Sequence, residues 1–88
     1  MNKNLTEKEN QIIEDILVEQ LGVSADQLTP EARLIEDLQA DSLTLMEITL
    51  ALEERFDITI PDEQAENVKT VADVYRTVAE LLHQPQQG

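Results

Sequence analysis

The sequence predicts an all-α fold, a small four-helix bundle with three longer helices, one short helix and a long loop between the first two. Three observations support this. Apolar residues recur at helical spacing in separate segments, these segments begin and end at capping residues, and no run alternates long enough to build a sheet. The 88 residues are expected to form a single domain, 1–88, with an ordered core at about 6–83 and a disordered tail at 84–88.

The first helix is predicted over residues 7–21. Thr6 and Glu9 match the capping box, in which the two side chains satisfy free N–H groups at the start of a helix. Gly22 supplies the left-handed conformation that commonly ends a helix. Between these signals the apolar residues have helical spacing: Ile12, Ile13, Ile16 and Leu17.

A long loop is predicted over 22–40, because this stretch has no sustained period and is interrupted by Pro30. We expect a short helical turn within it, over 31–38. A connection of this length is uncommon in a compact domain and usually has a function. Its apolar residues are expected to anchor it to the core: Val23, Leu28, Leu34, Ile35 and Leu38.

Two helices are predicted in the middle of the chain. The second helix covers 42–56 and has Asp41 as its N-cap. The third helix is short and covers 62–67. It is indicated by Pro61, which suits a first turn, and by the two acidic residues that follow it.

The fourth helix is predicted over 71–83. Thr70 and Asp73 resemble a capping box with Asp in place of Glu. The apolar side chains that follow have the spacing of one helix face: Val71, Val74, Tyr75, Val78, Leu81 and Leu82.

Acidic residues dominate the sequence. There are 19 Asp and Glu against 6 Lys and Arg, a formal net charge of −13, and residues 36–66 alone carry −9. Such a charge repels nucleic-acid phosphates and favours basic protein partners. The N-terminal stretch lacks the apolar segment of a signal peptide. No apolar run approaches the roughly 20 residues of a membrane span, so a cytoplasmic protein is expected.

Conventional catalytic and metal sites are not indicated. The sequence has no cysteine, which excludes disulfides and thiolate sites. Its one histidine, His83, is predicted near the end of the last helix, where a cation suits the helix dipole. No zinc or calcium motif is present. We therefore expect no catalytic residues and no metal ligands.

The predicted second helix carries two apolar stripes. The first consists of Leu45, Ile48, Leu52 and Phe56. The second consists of Leu43, Met46 and Leu50, with Glu47 and Glu54 beside it. Both stripes cannot face the core equally well. Either the helix is buried on two sides, or the second stripe is offered to a basic partner, and the sequence alone favours neither.

Ser42 stands at the head of this helix, directly after Asp41. A helix N-terminus presents free N–H groups and the positive end of the helix dipole, so a phosphate attached to Ser42 would be favourably placed. A capping pair is the simpler explanation of the same two residues. Physical chemistry alone therefore favours a helix cap over a modification site.

The segment 36–43, Glu-Asp-Leu-Gln-Ala-Asp-Ser-Leu, resembles the phosphopantetheine attachment motif of acyl carrier proteins, whose core is Asp-Ser-Leu. The resemblance covers about 7–82. It continues through further segments in the family's order and at its spacing: 19–23, 51–57, 60–63 and 70–71.

This resemblance implies a carrier and not an enzyme. Ser42 would receive 4′-phosphopantetheine from coenzyme A through a phosphopantetheinyl transferase, and Asp41 would help that transferase to hold its magnesium. Leu43 completes the attachment motif. The thiol of the arm would carry acyl groups as thioesters for fatty-acid synthesis or a related specialised pathway. A cofactor that brings the reactive group fits a chain without a thiol of its own.

The resemblance also implies a role for each of the two apolar stripes of the second helix. It implies a surface that contacts basic patches on loading, ketosynthase and acyltransferase-type enzymes: Asp41, Leu43, Met46, Glu47, Leu50, Glu53, Glu54, Asp62 and Glu66. It implies a second set that lines an interior acyl cavity: Leu45, Ile48, Leu52, Phe56, Ile60, Val68 and Val74. Most of the stabilisation that these side chains provide is expected from core packing, whether or not they also line a cavity. A monomer without a nucleic-acid partner is expected.

Three positions depart from the family's pattern. Gln39 stands where Gly is frequent, Thr44 where an acidic residue is frequent, and Leu34 where an aromatic residue is frequent. With these departures, a carrier of a specialised pathway is as compatible with the sequence as the housekeeping carrier of fatty-acid synthesis. A polyketide or aminoacyl carrier, including a D-alanyl carrier, stays open as an alternative. So does an acidic helical interaction module in which Ser42 is only a cap.

Overall fold

The computed structural model describes residues 4–83, and within them it contains four α-helices and no strand. The helices are α1 (Glu7–Leu21), α2 (Ser42–Phe56), α3 (Asp62–Glu66) and α4 (Val71–His83). The predicted all-α fold of three longer helices and one short helix is therefore confirmed. The tail predicted at 84–88 lies outside the described residues. Over 4–83, no helix has the length and apolar character that a membrane crossing requires.

The helix ends lie at the capping residues that the sequence indicated. The Thr6 hydroxyl accepts from the Glu9 N–H at 3.1 Å, and the Glu9 carboxylate accepts from the Thr6 N–H at 2.9 Å. Gly22 ends α1 with a φ of +67°, a conformation that costs a glycine little. At the start of α4, Thr70 and Asp73 exchange two hydrogen bonds of 3.1 and 3.2 Å. Each of these residues satisfies backbone groups that the helix itself leaves free.

One hydrophobic core joins the long helices and the loop, and α1 packs directly against α2. Its fully buried side chains come from α1, the loop and α4: Ile13, Leu17, Leu34, Val71 and Val78. Leu34 is only 1 % exposed, although the acyl carrier family often has a larger aromatic residue there. The smaller side chain is thus still buried at this position.

The loop between α1 and α2 contains a 3₁₀-helix that was not predicted. A 3₁₀-helix lies at Ala25–Gln27, where Ser24 and Gln27 form a capping box. The stretch 31–38, where a short helical turn is predicted, forms a single turn and no longer helix. It contains a hydrogen-bonded turn in which the Arg33 carbonyl accepts from the N–H of Asp37 at 2.9 Å. Arg33 also donates to Asp37 through its own backbone and side chain, which favours this turn over a continuing helix.

Ile35 is not a core anchor, so that part of the loop prediction is wrong. Its side chain is 57 % exposed, whereas Leu34 beside it is buried. The two side chains diverge, and Leu34 occupies the core position. The remaining predicted anchors are buried or half-buried: Val23, Leu28, Leu34 and Leu38.

Backbone hydrogen bonds hold the loop against the connection between α3 and α4. The Leu34 N–H donates to the Lys69 carbonyl at 2.9 Å, and the Val71 N–H donates to the Ala32 carbonyl at 3.0 Å. An isolated antiparallel bridge pairs Arg33 with Thr70 between them. These hydrogen bonds fix the position of the loop residues that precede α2.

Tyr75 of α4 gives a prediction about high pH. Its side chain is 3 % exposed, and burial, followed by the nearby carboxylates of Glu14 and Asp15, raises the pKa of its phenol to about 12. Between pH 10 and pH 12 the unfolded chain loses this proton while the folded chain keeps it, so stability falls as the pH rises. We expect spectrophotometric titration of the native protein to give a midpoint near 12. A midpoint near the ordinary value of 10.0 would contradict this.

Candidate functional site

The N-terminus of α2 presents Ser42 to solvent. Asp41 is the N-cap, and its Oδ1 accepts a hydrogen bond from the Thr44 N–H at 2.8 Å. This hydrogen bond holds the pKa of the Asp41 carboxyl below its ordinary value, so the group is ionised at neutral pH. Within the described residues, no hydrogen bond engages the Ser42 hydroxyl. The site therefore combines an uncommitted hydroxyl, an adjacent carboxylate and the positive end of a helix.

These features fit a phosphate ester on Ser42. The hydroxyl is exposed, and the free N–H groups of the first helical turn favour a negative group there. In the part of the chain that the structure describes, no cluster of three or more His, Asp or Glu side chains is arranged to hold a metal ion. The arrangement can present a covalently attached group, with Asp41 as a carboxylate at its base.

Gln39 adopts an unusual backbone conformation two residues before Asp41. Its φ is +61°, in the left-handed region that residues other than Gly rarely adopt. The next residue, Ala40, is 5 % exposed and donates its N–H to the Leu34 carbonyl at 2.8 Å. The turn into α2 thus places Gln39 in a conformation that a glycine would adopt at little cost.

Substitution of Gln39 should test this strain directly. In Gln39→Gly, relief of a left-handed cost of roughly 1–2 kcal/mol exceeds the added chain entropy of roughly 0.5–1 kcal/mol, so the free energy of unfolding should rise by about 0.5 kcal/mol. In Gln39→Val it should fall by at least about 1 kcal/mol, since a β-branched residue tolerates this region worst. Urea unfolding followed by circular dichroism measures both. If the two variants had the same free energy of unfolding, backbone strain at Gln39 would be excluded.

The second apolar stripe of α2 is open to solvent. Leu43, Met46 and Leu50 are 61 %, 59 % and 53 % exposed. Glu47 and Glu54 are exposed beside them on the same helix, and Asp62 and Glu66 are exposed on α3. The alternative in which α2 is buried on two sides is therefore excluded.

Glu53 behaves differently from the other acidic residues predicted to bind partners. It is half-buried, and its carboxylate accepts a hydrogen bond from the Ile60 N–H at 2.8 Å. The bond connects α2 to the segment that precedes α3. Glu53 therefore fixes the position of α3 relative to α2, a role that its place in the sequence does not reveal.

Removing the Glu53 carboxylate should destabilise the fold. A hydrogen bond to a charged group contributes about 1.5–3 kcal/mol, so Glu53→Ala should lower the free energy of unfolding by about 2 kcal/mol. Glu53→Gln keeps an acceptor oxygen, so its free energy of unfolding should fall less than that of Glu53→Ala. The exposed neighbour provides a matched control, because Glu54→Ala should change stability by under about 0.5 kcal/mol. Equal losses in the two alanine variants would refute the structural role.

The residues predicted to line an acyl cavity occupy two environments. Ile48, Leu52, Ile60 and Val74 lie in the core, and Phe56 is half-buried against it. Leu45 and Val68 are also half-buried, but they line a cleft of about 210 Å³ between α2, the loop and α3. The other side chains at this cleft are Leu34, Ile35, Glu36, Ala65, Glu66 and Lys69.

The cleft includes residues whose proximity to Leu45 could not be predicted from the sequence. Ile35 and Lys69 lie on different connections, and periodicity relates residues only within one helix. One feature of the sequence does point to the cleft, namely the adjacent apolar residues 34 and 35. Only one of two neighbouring side chains can be buried in such a tight turn. The pair indicates an exposed apolar side chain near α2.

Comparison with known proteins agrees with this arrangement. Residues 11–84 match the family model described as the phosphopantetheine attachment site. The chain is 56 % identical over 62 residues to an acyl carrier protein of Helicobacter hepaticus, covering 70 % of this chain and 82 % of that one. It is 51 % identical over 67 residues to an acyl carrier protein of Syntrophobacter fumaroxidans, covering 76 % of this chain and 83 % of that one. A solved chain from Mycobacterium tuberculosis superposes with a TM-score of 0.73 at 38 % sequence identity, covering 78 % of this chain and 92 % of that chain.

Proposed function

Because the chain belongs to the acyl carrier protein family, we propose that Ser42 is the residue that bears its phosphopantetheine arm. The observation that carries this proposal is the exposed, unbonded hydroxyl at the head of α2, next to the ionised Asp41. The sequence has two serines, and the other is engaged elsewhere. Ser24 caps the 3₁₀-helix, and its hydroxyl contacts the Gln27 side chain at 3.3 Å.

The chain is an acyl carrier, and acyl carrier proteins carry rather than catalyse. The arm supplies a thiol that holds acyl groups as thioesters, which is chemistry that the cofactor and not the protein provides. Fatty-acid synthesis is the usual context of the family. We assign this chain to that context or to a related specialised pathway, as a non-catalytic single domain of the cytoplasm. The match over 11–84 supports the single domain.

A carrier must meet a phosphopantetheinyl transferase and enzymes that handle acyl groups. We assign their contact to the α2–α3 surface, defined as Leu43, Met46, Glu47, Leu50, Glu54, Asp62 and Glu66. Its exposed apolar centre and acidic rim suit a basic, grooved partner. Asp41 adds a carboxylate beside Ser42 for the metal of the transferase. Glu53 acts on this surface indirectly, by holding α3 through Ile60.

We assign the start of the acyl cavity to the cleft beside Leu45 and Val68. Ser42 and Leu45 are three residues apart on α2, so they share one face of the helix. Leu45, Val68 and Ala65 give the cleft an apolar lining. Burial of an alkyl chain against such a surface is favourable by about 0.8 kcal/mol per methylene.

The experiment that tests the carrier assignment compares two kinds of loading. The protein is first incubated with coenzyme A, Mg²⁺ and a promiscuous transferase. It is then offered either a fatty acid with an acyl carrier ligase and ATP, or amino acids with adenylation-type loading enzymes. We expect a fatty-acyl mass gain that hydroxylamine removes, as a thioester requires. Loading by the aminoacyl enzymes alone would instead assign an aminoacyl carrier.

A further inference from the structure

The carboxylate of Asp37 closes the turn that precedes α2. Its Oδ2 accepts a hydrogen bond from the backbone N–H of Arg33 at 2.8 Å and another from the Nε of the same residue at 3.3 Å. Its Oδ1 accepts from the Arg33 Nη2 at 3.3 Å. In the other direction, the N–H groups of Asp37 and Leu38 donate to the Arg33 carbonyl at 2.9 and 3.0 Å. The turn is thus closed by hydrogen bonds in both directions.

The charge of Asp37 strengthens this closure. The backbone hydrogen bond from Arg33, followed by the side-chain bonds, holds the pKa of the Asp37 carboxyl below its ordinary value, so the group is ionised at neutral pH. Hydrogen bonds to a charged group are about twice as strong as those between neutral groups. The ion pair between the two side chains is exposed to solvent and contributes little by itself. The bond to the backbone N–H is therefore the one that fixes the turn.

The closed turn is followed by a strained residue. Gln39 lies two residues after Asp37 and has a φ of +61°, which residues other than glycine rarely adopt. The next residue, Ala40, donates its N–H at 2.8 Å to the carbonyl of Leu34, which lies inside the turn. A strained conformation persists only where the surrounding structure fixes it. Opening the turn would move this carbonyl and allow Gln39 to relax.

The strained residue lies close to the attachment site. Only Ala40, which is buried, separates Gln39 from Asp41, the N-cap of α2. The cap depends on the extended backbone of Asp41, which places its Oδ1 2.8 Å from the Thr44 N–H. A backbone change at Gln39 would reach this cap directly. The first turn of α2, which begins with Ser42, is therefore held from the loop side by the closed turn.

We propose that Asp37 is a positioning residue for the loading of Ser42. By closing the turn it keeps Gln39 left-handed, and it thereby holds the first turn of α2 in the orientation in which a transferase meets the Ser42 hydroxyl. The proposal rests on the assignment of Ser42 as the attachment residue and adds a residue that acts on it from the loop. Asp37 itself does not touch the transferred group.

The chemistry of loading explains why orientation matters. The Ser42 oxygen forms a bond to the phosphorus of coenzyme A that bears pantetheine. The bond from that phosphorus to the bridging oxygen breaks, adenosine 3′,5′-bisphosphate leaves, and the hydroxyl proton passes to water. The attacking and leaving oxygens lie roughly in line in such a transfer. A small misplacement of the serine oxygen therefore lowers the rate of the step without lowering the affinity of the two proteins.

The test compares two substitutions that remove the same charge. Asp37→Asn keeps an amide oxygen that can accept from the Arg33 N–H, whereas Asp37→Ala does not. Loading with coenzyme A, Mg²⁺ and a promiscuous phosphopantetheinyl transferase is followed by intact mass over a range of carrier concentrations. We expect kcat to fall about tenfold in Asp37→Ala and under about threefold in Asp37→Asn. The KM values of the two variants should agree within about twofold, since a smaller folded fraction alone would raise KM and leave kcat unchanged.

A second substitution tests the connection through Gln39. In Gln39→Gly the left-handed conformation costs little, so the first turn of α2 depends less on the closed turn. Adding Gln39→Gly to Asp37→Ala should bring kcat back to within about threefold of the unsubstituted protein, a coupling that a double-mutant cycle measures. Amide hydrogen exchange at Ala40 and Leu45 needs no transferase. It should be about tenfold faster in Asp37→Ala than in the unsubstituted protein.

Asp73 provides a matched control. At the start of α4 its Oδ2 accepts from two backbone N–H groups at 3.0 and 3.1 Å, and its Oδ1 pairs with Arg76 at 2.7 Å. Asp73→Ala thus removes bonds of the same kinds from a helix that does not carry Ser42, and kcat should stay within about twofold.

Three results would overturn the proposal: an unchanged kcat in Asp37→Ala, an equal loss of kcat in Asp73→Ala, or unchanged exchange at Ala40 and Leu45. The assignment of Ser42 is judged separately, by loading of the unsubstituted protein. If that protein gained no arm, the assignment itself would fail. If it gained an arm and Asp37→Ala gained one with the same kcat, only the positioning role would fail.

Discussion

Replacement of Ser42 by alanine is expected to abolish phosphopantetheine loading and to leave the fold intact. The variant loses the hydroxyl that we assign to the transferase reaction. Its side chain is exposed and makes no hydrogen bond within the described residues, so stability should change by under about 0.5 kcal/mol. The measurement is the intact mass after incubation with coenzyme A, Mg²⁺ and a transferase, with circular dichroism as the check on folding.

Ser24 provides a matched control for this experiment. It is the other serine of the chain, it is exposed, and it too precedes a helical turn. Ser24→Ala should therefore gain one phosphopantetheine at the rate of the unsubstituted protein. A loaded Ser42→Ala protein, or an unloaded Ser24→Ala protein, would show that the attachment site has been misplaced.

Charge reversal on α2 is expected to have the second largest effect. Glu47 is exposed beside Leu43 and Met46, so a lysine there repels a basic partner at the acidic rim of the α2–α3 surface. Glu47→Lys should lower kcat/KM for the transferase or an acyl-handling enzyme by about tenfold at low salt, since exposed charges act mainly on association. The salt dependence of the rate should become flatter, because salt screens a smaller attraction.

Glu80→Lys is the control for this reversal. It changes the net charge by the same amount, but it lies on α4, away from the α2–α3 surface. Its effect on kcat/KM should be under about twofold. If the two variants lowered the rate equally, overall charge and not a local surface would govern docking.

Local sequence signals predicted the helices because the capping chemistry is local. Thr6 with Glu9, Asp41 with Thr44 and Thr70 with Asp73 are each three residues apart, and all three pairs form in the structure. The same logic would have found the 3₁₀-helix, since Ser24 and Gln27 form a capping box that can be read from the sequence. Ser42 was also indicated, although its chemistry required the family resemblance.

Features that depend on distant parts of the chain could not be predicted in this way. The hydrogen bond from Ile60 to Glu53 spans seven residues and crosses a helix end. The cleft beside Leu45 joins α2 to residues of two connections. Ile35 was misplaced because apolar character alone does not say which of two adjacent side chains enters the core.

The most direct test of the central claim locates the arm on the chain. Trypsin cleaves after Lys8, Arg33 and Arg55, so Ser24 and Ser42 fall into separate peptides, 9–33 and 34–55. After loading with coenzyme A and a transferase, tandem mass spectrometry should find a single phosphopantetheine, on Ser42 in peptide 34–55. An unmodified peptide 34–55, or an arm on peptide 9–33, would contradict the account.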